Sequence, residues 1–404
     1  MRVSAPVGYE PLGRLRIHRM LSLSFSICAM RCFFVIQGEG RGHLTQALAL
    51  QHALRAADHE VVGAAVGMPG HGSWPAFFTD AIAKPLTPLR SVSIVTDTAT
   101  GAVRPISTVA RGFRRAFLDS APLDALHAAI ERAAPDLIIN FFEPMMGVLA
   151  RKRNLNVPTV AVAHQYMFLH PGYRFPPRQW ARRLLARWVT HVTAWGTDAC
   201  VALSLYPAPP ASTAWLPKGV SLTVMAPLLR PSVRGLSPAN ERASHLQAYL
   251  LNDSYAQQLM RWHHAHPQVP LRCFWRRDGI HTPEQVDSTL TIYPLSAERF
   301  IQSMAQARGL ATTAGFESVA EAFYLGTPVQ AVPVPGHYEQ RCNAYDTVRA
   351  GAGIRSSQFS LDALLRFIPH YVPNTAAYRA RVQQMPAQLV EHLERVAGGG
   401  AVSL

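Results

Sequence analysis

Residues 38–43 read Gly-Glu-Gly-Arg-Gly-His. Glycines at alternate positions let a chain turn tightly and bring bare backbone against a ligand, and a helix that starts there offers N–H groups to an anion. His43 at the end of the turn has a side chain suited to accepting a proton near neutral pH. Gly40 and Gly42 would line the same crevice. The spacing is neither the G-x-G-x-x-G of a dinucleotide fingerprint nor the G-K-[ST] of a phosphate loop. Taken alone, the motif reads equally well as a tight strand-to-helix turn.

A second run combines more features: Ala314-Gly315-Phe316-Glu317-Ser318-Val319-Ala320-Glu321. A strand at Leu310–Thr313 runs into a glycine and then a helix bounded by Gly326 and Pro328, so a helix N-terminus points outward and suits a pyrophosphate. Ser318 adds a hydroxyl. Ser318 with Glu321 also fits the S-x-x-E capping box, in which both side chains serve only their own helix. Past the strand Val329–Val332 follow His337-Tyr338-Glu339-Gln340. The adjacent carboxylate and amide match the acceptors and donors that sugar hydroxyls require. Glu143 follows the strand Asp136–Phe142, and His164, Gln165 and Tyr166 follow Val157–Ala163, so both sets should reach the edge where His43 lies. Glu143 either holds the His43 tautomer or caps a helix starting near Pro144. His164 either lines that edge or packs in the core.

Short apolar runs alternating with helical patterns place these residues on parallel sheets covered by helices. Cys32–Ile36, Leu44–Ala57 and Glu60–Val66 form one strand–helix–strand unit. Ser91–Val95 and Ala199–Leu203 are further strands of the first half, and His245–Leu251, Leu271–Trp275 and Leu290–Tyr293 belong to the second. A Pro-rich stretch, Tyr206–Pro217, separates them, and Ala377–Val396 reads as a closing helix. Ligands of such sheets bind outside the carboxyl ends of the strands, where both glycine-rich turns fall.

The chain has 404 residues, 49% of them apolar and 16% charged, enough for a large core. Lys and Arg exceed Asp and Glu by 39 to 25, a net +14 that favours anionic partners. Cys28, Cys32, Cys200, Cys273 and Cys342 are scattered without a C-x-x-C pair, which argues against a disulfide framework or a thiolate zinc site and for a reducing cytosol. Arg14, Arg16 and Arg19 ahead of the apolar Met20–Met30 have the outline of a secretory signal. No small-residue cleavage site follows and Arg31 ends the run short of a membrane span, so a loose tail is expected instead.

The run from Thr312 to Gly353, with A-G-F-E-S-V-A-E-A-F-Y-L-G-T-P-V-Q-A-V-P-V-P-G-H-Y-E-Q-R-C-N-A and then G-A-G, resembles the donor-binding half of GT-B glycosyltransferases. It is most similar to the branch with the N-acetylglucosaminyltransferase that makes the peptidoglycan lipid precursor and the plant galactolipid synthases. G-E-G-R-G-H-L-T-Q-A at Gly38–Ala47 resembles the matching loop of their first half, and the likeness spans most of residues 31–365. It implies an α/β GT-B architecture, two doubly wound, Rossmann-like domains facing across a cleft. The expected division is a tail at 1–30, an acceptor-side domain at 31–205, a linker at 206–220, a donor-binding domain at 221–370, and a closing helix and tail at 371–404.

The resemblance further implies a hexosyl transfer from a nucleotide-sugar donor, UDP-linked, to an acceptor hydroxyl, lipid-linked or in a cell-envelope glycan. The donor is a substrate, with no cofactor and no metal. Gly315, Phe316, Glu317 and Ser318 would then face the diphosphate, Glu321 the ribose, and Glu339 with Gln340 the donor sugar. His43 would be the base, and Glu143, His164 and Gln165 would flank the acceptor. Two positions depart from the pattern. Asn252-Asp253-Ser254-Tyr255 stands where a glycine-rich phosphate loop is expected, and Glu317 puts a carboxylate where it would repel the diphosphate unless it turns away. The same pattern also fits a hydrolysing nucleotide-sugar 2-epimerase or a non-catalytic sugar-nucleotide binder.

Basic residues cluster at Arg104–Arg115 and Arg174–Arg187, and the second cluster contains no acid. Trp180, Leu184 and Trp188 recur there at helical spacing. Such a stripe either packs inward with its arginines in water or rests on an anionic membrane. Peripheral contact with the inner face of the cell membrane is the expectation drawn. Nucleic acid is not an expected partner, since the basic runs match no recognised binding module.

Overall fold

The computed structural model describes residues 29–68, 73–90, 120–153, 155–213, 215–239, 241–250, 253–277 and 281–399. The strand expected at Ser91–Val95, the arginines between Arg104 and Arg115, the tail to residue 28 and Asn252 lie outside them.

The first sheet contains β1 (Arg31–Ile36), β2 (Glu60–Gly67), β3 (Leu86–Leu89), β4 (Leu137–Phe141), β5 (Thr159–Ala163), β6 (Ala199–Leu203) and β7 (Ser221–Met225), in the order β3-β2-β1-β4-β5-β6-β7 and all parallel. β4, β5 and β6 are buried along their whole length, as continuous apolar runs with helices on both faces must be. The Gly42–Ala56 helix buries Leu44, Ala47, Leu50 and Leu54 against the sheet. Each leucine so placed contributes about 2 kcal/mol.

The second sheet contains β8 (Leu246–Leu250), β9 (Leu271–Trp275), β10 (Glu284–Gln285), β11 (Leu290–Tyr293), β12 (Gly309–Thr312), β13 (Val329–Ala331) and β14 (Gly353–Arg355), in the order β10-β11-β9-β8-β12-β13-β14. Only the short edge strand β10 is antiparallel. In each sheet the winding reverses direction once, between β1 and β4 in the first and between β8 and β12 in the second. At that reversal the flanking connections leave in opposite directions and open a crevice. Residues 37–43 follow β1 and Gly315 follows β12, so both glycine-rich turns occupy such a crevice.

The expected linker is corrected by β7. Ser221–Met225 pairs with β6 in register from Ala199↔Ser221 to Leu203↔Met225, so the Pro-rich stretch is an excursion that returns to the same sheet. Pro207, Pro209 and Pro210 have no N–H to give a ladder, so among the described residues the excursion pairs with the sheet only at an antiparallel bridge between Ala211 and Leu222 of β7. The chain passes to the second sheet only after β7. The Ala376–Ala397 helix then ties the halves together. Tyr378 donates to Ala320 O at 3.1 Å in the second half, and Glu394 meets His59 Nε2 at 2.8 Å in the first.

Cys32, Cys200, Cys273 and Cys342 are all free and buried. Among the described residues no helix is long and apolar enough to cross a membrane.

Candidate active site

The turn after β1 is built on close backbone contact. A Cβ on Gly38 would lie 1.7 Å from Gly67 O, and Gly40 adopts φ +80°, so neither position accepts a side chain without distortion. The turn brings Gly42 and His43 to the start of their helix, opposite the Phe316–Tyr324 helix of the second half. A Cβ on Gly42 would sit 3.5 Å from Glu317 Cγ, ordinary contact across the cleft.

The turns after β4 and β12 share a second device. Phe142 (φ +60°) and Ala314 (φ +58°) are non-glycine residues in the left-handed region, each costing on the order of 1 kcal/mol or more. Each turn is pinned by a buried asparagine. Asn140 accepts from Glu143 N at 2.8 Å and donates to Glu143 O at 3.3 Å, and Asn343 donates to Ala314 O at 3.1 Å. The second contact holds the residue that aims Gly315 and the helix N-terminus into the cleft.

The capping box expected of Ser318 and Glu321 does not form. Gly315 is the N-cap, and Ser318 inside the helix donates to Gly315 O at 3.1 Å, with its Oγ also 3.1 Å from Thr312 Oγ1. The Ser318 hydroxyl is therefore spent on the turn itself. Glu321 is 1% exposed and accepts from Arg230 Nε at 2.6 Å. Burial works against the Arg230 charge, but Glu321 outweighs it and raises the guanidinium pKa. The carboxylate expected at the ribose thus carries an arginine partner.

Glu317 turns away from its helix start toward the first half. Gln46 Nε2 donates to its Oε1 at 2.5 Å, and Oε2 is enclosed without a hydrogen-bond partner. Enclosure of the carboxyl and the neighbouring Glu321 charge push its pKa up to about 8, although other atoms of the side chain still touch solvent. Neutral and turned aside, Glu317 poses no barrier to an anion at the helix start.

His43, His164 and Glu339 converge across the cleft. Phe316 stacks on His164 with ring centroids 4.4 Å apart and 4° between planes, while His43 lies parallel to His164 at 6.4 Å and to Phe142 at 5.9 Å. His164 Nε2 approaches Glu339 Oε1 to 3.2 Å, but without the alignment of a hydrogen bond, so the contact is chiefly electrostatic. Desolvation alone would raise the Glu339 pKa. The nearness of His164, with His337 and His43 beyond it, instead holds this one-third exposed carboxyl well below the usual range. Gln340 turns inward on its own loop, its Oε1 accepting from Val334 N at 2.8 Å.

His43 itself is buried, and desolvation, followed by the charge of His164, lowers its pKa to about 4. Gln165 Nε2 lies 3.3 Å from His43 Nε2, while His43 Nδ1 is enclosed without a hydrogen-bond partner. With Gln165 donating, the ring proton resides on Nδ1 and Nε2 carries the lone pair. Of the two readings of Glu143, the helix cap is the one the structure shows. Glu143 is fully buried and accepts from Met145 N at 3.1 Å as the N-cap of the Pro144–Lys152 helix. The basicity of His43 is therefore lowered rather than raised.

Three residues that sequence reasoning did not single out complete the site. Gln46 is three positions after His43 and Asn343 four after Glu339, so helical periodicity put each on the face of its expected partner. Arg230 lies 91 positions from Glu321, and no local pattern connects them. Among the described residues no group of three or more His, Cys, Asp or Glu side chains is placed to hold a metal ion.

The model of the family described as Glycosyl transferase family 1 matches residues 30–373. No curated protein matches the chain. Among solved structures, SsfS6, a glycosyltransferase of Streptomyces sp. SF2575, is 17% identical with a TM-score of 0.58, covering 90% of this chain and 99% of that one. The spinosyn rhamnosyltransferase SpnG complexed with thymidine diphosphate is 17% identical with a TM-score of 0.57, covering 90% and 100%. A UDP-glucosyltransferase from Polygonum tinctorium capable of glucosylating indoxyl, in complex with 3,4-dichloroaniline, is 13% identical with a TM-score of 0.57, covering 92% and 99%. At these identities the likeness is one of fold.

Proposed function

The chain belongs to glycosyl transferase family 1 and is a glycosyltransferase of GT-B architecture; from that premise we propose that it moves a hexosyl group from a UDP-sugar to an acceptor hydroxyl, with His43 as the base. The observation that carries the reading is the meeting of the two glycine-rich turns. The start of the Phe316–Tyr324 helix faces His43 across a cleft in which the acid nearest that start, Glu317, is bound to Gln46 and held neutral. Backbone N–H groups and the helix dipole at Gly315–Ser318 would receive the diphosphate and stabilise it as it leaves, without a metal ion.

In the step proposed, the acceptor oxygen attacks the anomeric carbon, the bond from that carbon to the diphosphate breaks, and the acceptor proton passes to His43 Nε2, whose lone pair is freed as the acceptor hydroxyl displaces the Gln165 amide. Glu339, on the second half beside His164, is placed for the donor sugar hydroxyls, and Glu321 for the ribose once it shares Arg230. The motif likeness over Thr312–Gly353 supports the UDP-linked donor and a lipid-linked or cell-envelope acceptor.

Titration calorimetry with UDP, dTDP and GDP tests the reading. Gly315 has φ −66°, and a Cβ there would meet only Ser318 Oγ at 3.6 Å, so Gly315→Ala folds without strain while placing a methyl group where the diphosphate binds. UDP is expected to bind the wild type and to lose at least about tenfold in affinity in the variant. Equal affinities would remove the helix start from the donor site. Release of free UDP at the full rate without any acceptor would favour the epimerase reading instead.

A further inference from the structure

The Trp180–Thr193 helix buries Arg187, Thr190, Val192 and Thr193, with Ala186 and Val189 also packed inward. Arg187 Nε donates to Phe168 O at 2.9 Å, and its guanidinium lies over Phe175 at 5.0 Å and Trp215 at 5.1 Å. The outward face carries Trp180, 75% exposed, Leu184, 45%, and Trp188, 41%. Spaced four apart, they form one apolar stripe on the surface. The other exposed large hydrophobics among the described residues, Val286, Val348 and Val372, belong to separate elements. The alternative of a stripe packed into the core is therefore excluded.

The charge around the stripe has one sign. Residues 144–197 contain no Asp or Glu, and Arg174, Arg178, Arg182 and Arg183 are all exposed beside the tryptophans. Two tryptophans and a leucine on one helix face, with four exposed arginines on and just before the same helix, combine an apolar body that leaves water with cations that seek phosphate. We propose that this face docks on an anionic lipid bilayer, the tryptophan rings entering the headgroup boundary and the arginines meeting lipid phosphates. A second copy of the chain fits poorly, because a two-fold contact would press these arginines against their own equivalents.

The face adjoins the cleft. Phe175, flanked by Arg183 at 4.9 Å and Arg187, lies parallel to Tyr338 at 6.5 Å, and Tyr338 immediately precedes Glu339. A docked molecule thus presents the Glu339 side of its cleft next to the bilayer, where an acceptor resident in the membrane would enter without crossing bulk water.

Flotation of the full chain with vesicles tests the docking independently of any sugar transfer, so its failure leaves the transferase reading standing. Vesicles of phosphatidylcholine alone are compared with vesicles holding about 30 mol% phosphatidylglycerol, at low salt and at about 0.5 M NaCl. Co-flotation with the anionic vesicles only, weakened by salt, is expected. Trp180→Ser with Trp188→Ser, and separately Arg174→Glu with Arg182→Glu, should each lower binding by at least about tenfold with unchanged circular dichroism melting. Absence of flotation, equal binding to both vesicles, or variants that bind as well as the wild type would overturn the proposal. So would a dimer in light scattering that the tryptophan variant dissolves, which would mean that the stripe is covered by a second copy.

Discussion

Gln46 Nε2 and Glu317 Oε1 meet at 2.5 Å from opposite sides of the cleft, 271 residues apart in sequence. The contact accounts for a carboxyl group at a helix start otherwise suited to an anion. The amide draws it aside, and enclosure keeps it protonated at neutral pH, so the dipole of the helix stays available to a diphosphate.

This arrangement costs stability in a defined pH window. The Glu317 pKa is raised from 4.5 to about 8 in the fold, so the folded state disfavours ionisation. No stability is lost below 4.5. Between 4.5 and about 8 the loss grows with pH by at most about 1.4 kcal/mol per unit, less for the part of the side chain in contact with water. Glu317→Gln keeps the shape and removes the titration. It is expected to raise the unfolding midpoint clearly at pH 8.5 and hardly at pH 5, as read by thermal melts. Equal shifts at both values would mean that Glu317 ionises like an exposed acid.

His43→Ala should separate chemistry from binding. The ring touches the proposed acceptor side and not the helix start, so turnover is expected to fall by on the order of 10²–10³ while UDP affinity changes by less than about threefold. Unchanged turnover would remove His43 from the mechanism. Its pKa, lowered to about 4, keeps the imidazole neutral through most of the acid range, so the acid limb of kcat against pH is expected near 4 rather than 6.5. Because burial disfavours the proton, His43 also makes the fold lose stability as pH falls from about 6.5 to 4.

The parts of the fold that read clearly in sequence are those where burial on both faces leaves a continuous apolar run. Ala199–Leu203, Leu271–Trp275 and Leu290–Tyr293 have the expected bounds, and β1, β2, β5 and β12 differ by at most two residues at either end. β7 was hidden because Ser221-Leu-Thr-Val-Met alternates and follows a Pro-rich loop, a pattern as fitting for the start of a new domain. At the site, motif positions gave the neighbourhood of His43, Glu317 and Glu339 but not their partners. Whether Glu143 faces a histidine or a helix N-terminus depends on the left-handed turn at Phe142, which is set by Asn140 and by Thr193 O, 53 residues away. Likewise, Trp180, Leu184 and Trp188 stay exposed because Ala186, Val189, Val192 and the threonines take the packed side of their helix, a choice that hydrophobic periodicity cannot foretell.

Asn343 tests the turn that aims the helix. Its amide is the side-chain hydrogen bond to Ala314 O, at a residue strained by φ +58°. Asn343→Ala leaves a buried carbonyl unpaired and the strained turn less constrained, so a loss of about 1–3 kcal/mol is expected in urea unfolding. UDP affinity should fall with it, since the N–H groups at Gly315–Ser318 lose their fixed direction. A stability loss with UDP binding intact would confine Asn343 to a structural role.

The Arg230–Glu321 pair allows a sharper separation of structure from function, because only one partner is fully enclosed. Glu321 is 1% exposed and Arg230 22%. Arg230→Ala strands a buried carboxylate and is expected to cost about 3 kcal/mol. Glu321→Gln leaves a neutral amide that can still accept from Arg230, so it should cost about 1 kcal/mol. The double variant Arg230→Met with Glu321→Gln removes both charges and should recover most of the loss of Arg230→Ala, measured by urea unfolding. If Glu321 also receives the ribose hydroxyls, every variant that neutralises it will bind UDP more weakly than the wild type, including the stable ones. A double variant as stable as the wild type and equal to it in UDP affinity would leave the pair a purely structural tie between the chain entering the second sheet and the helix that faces the donor.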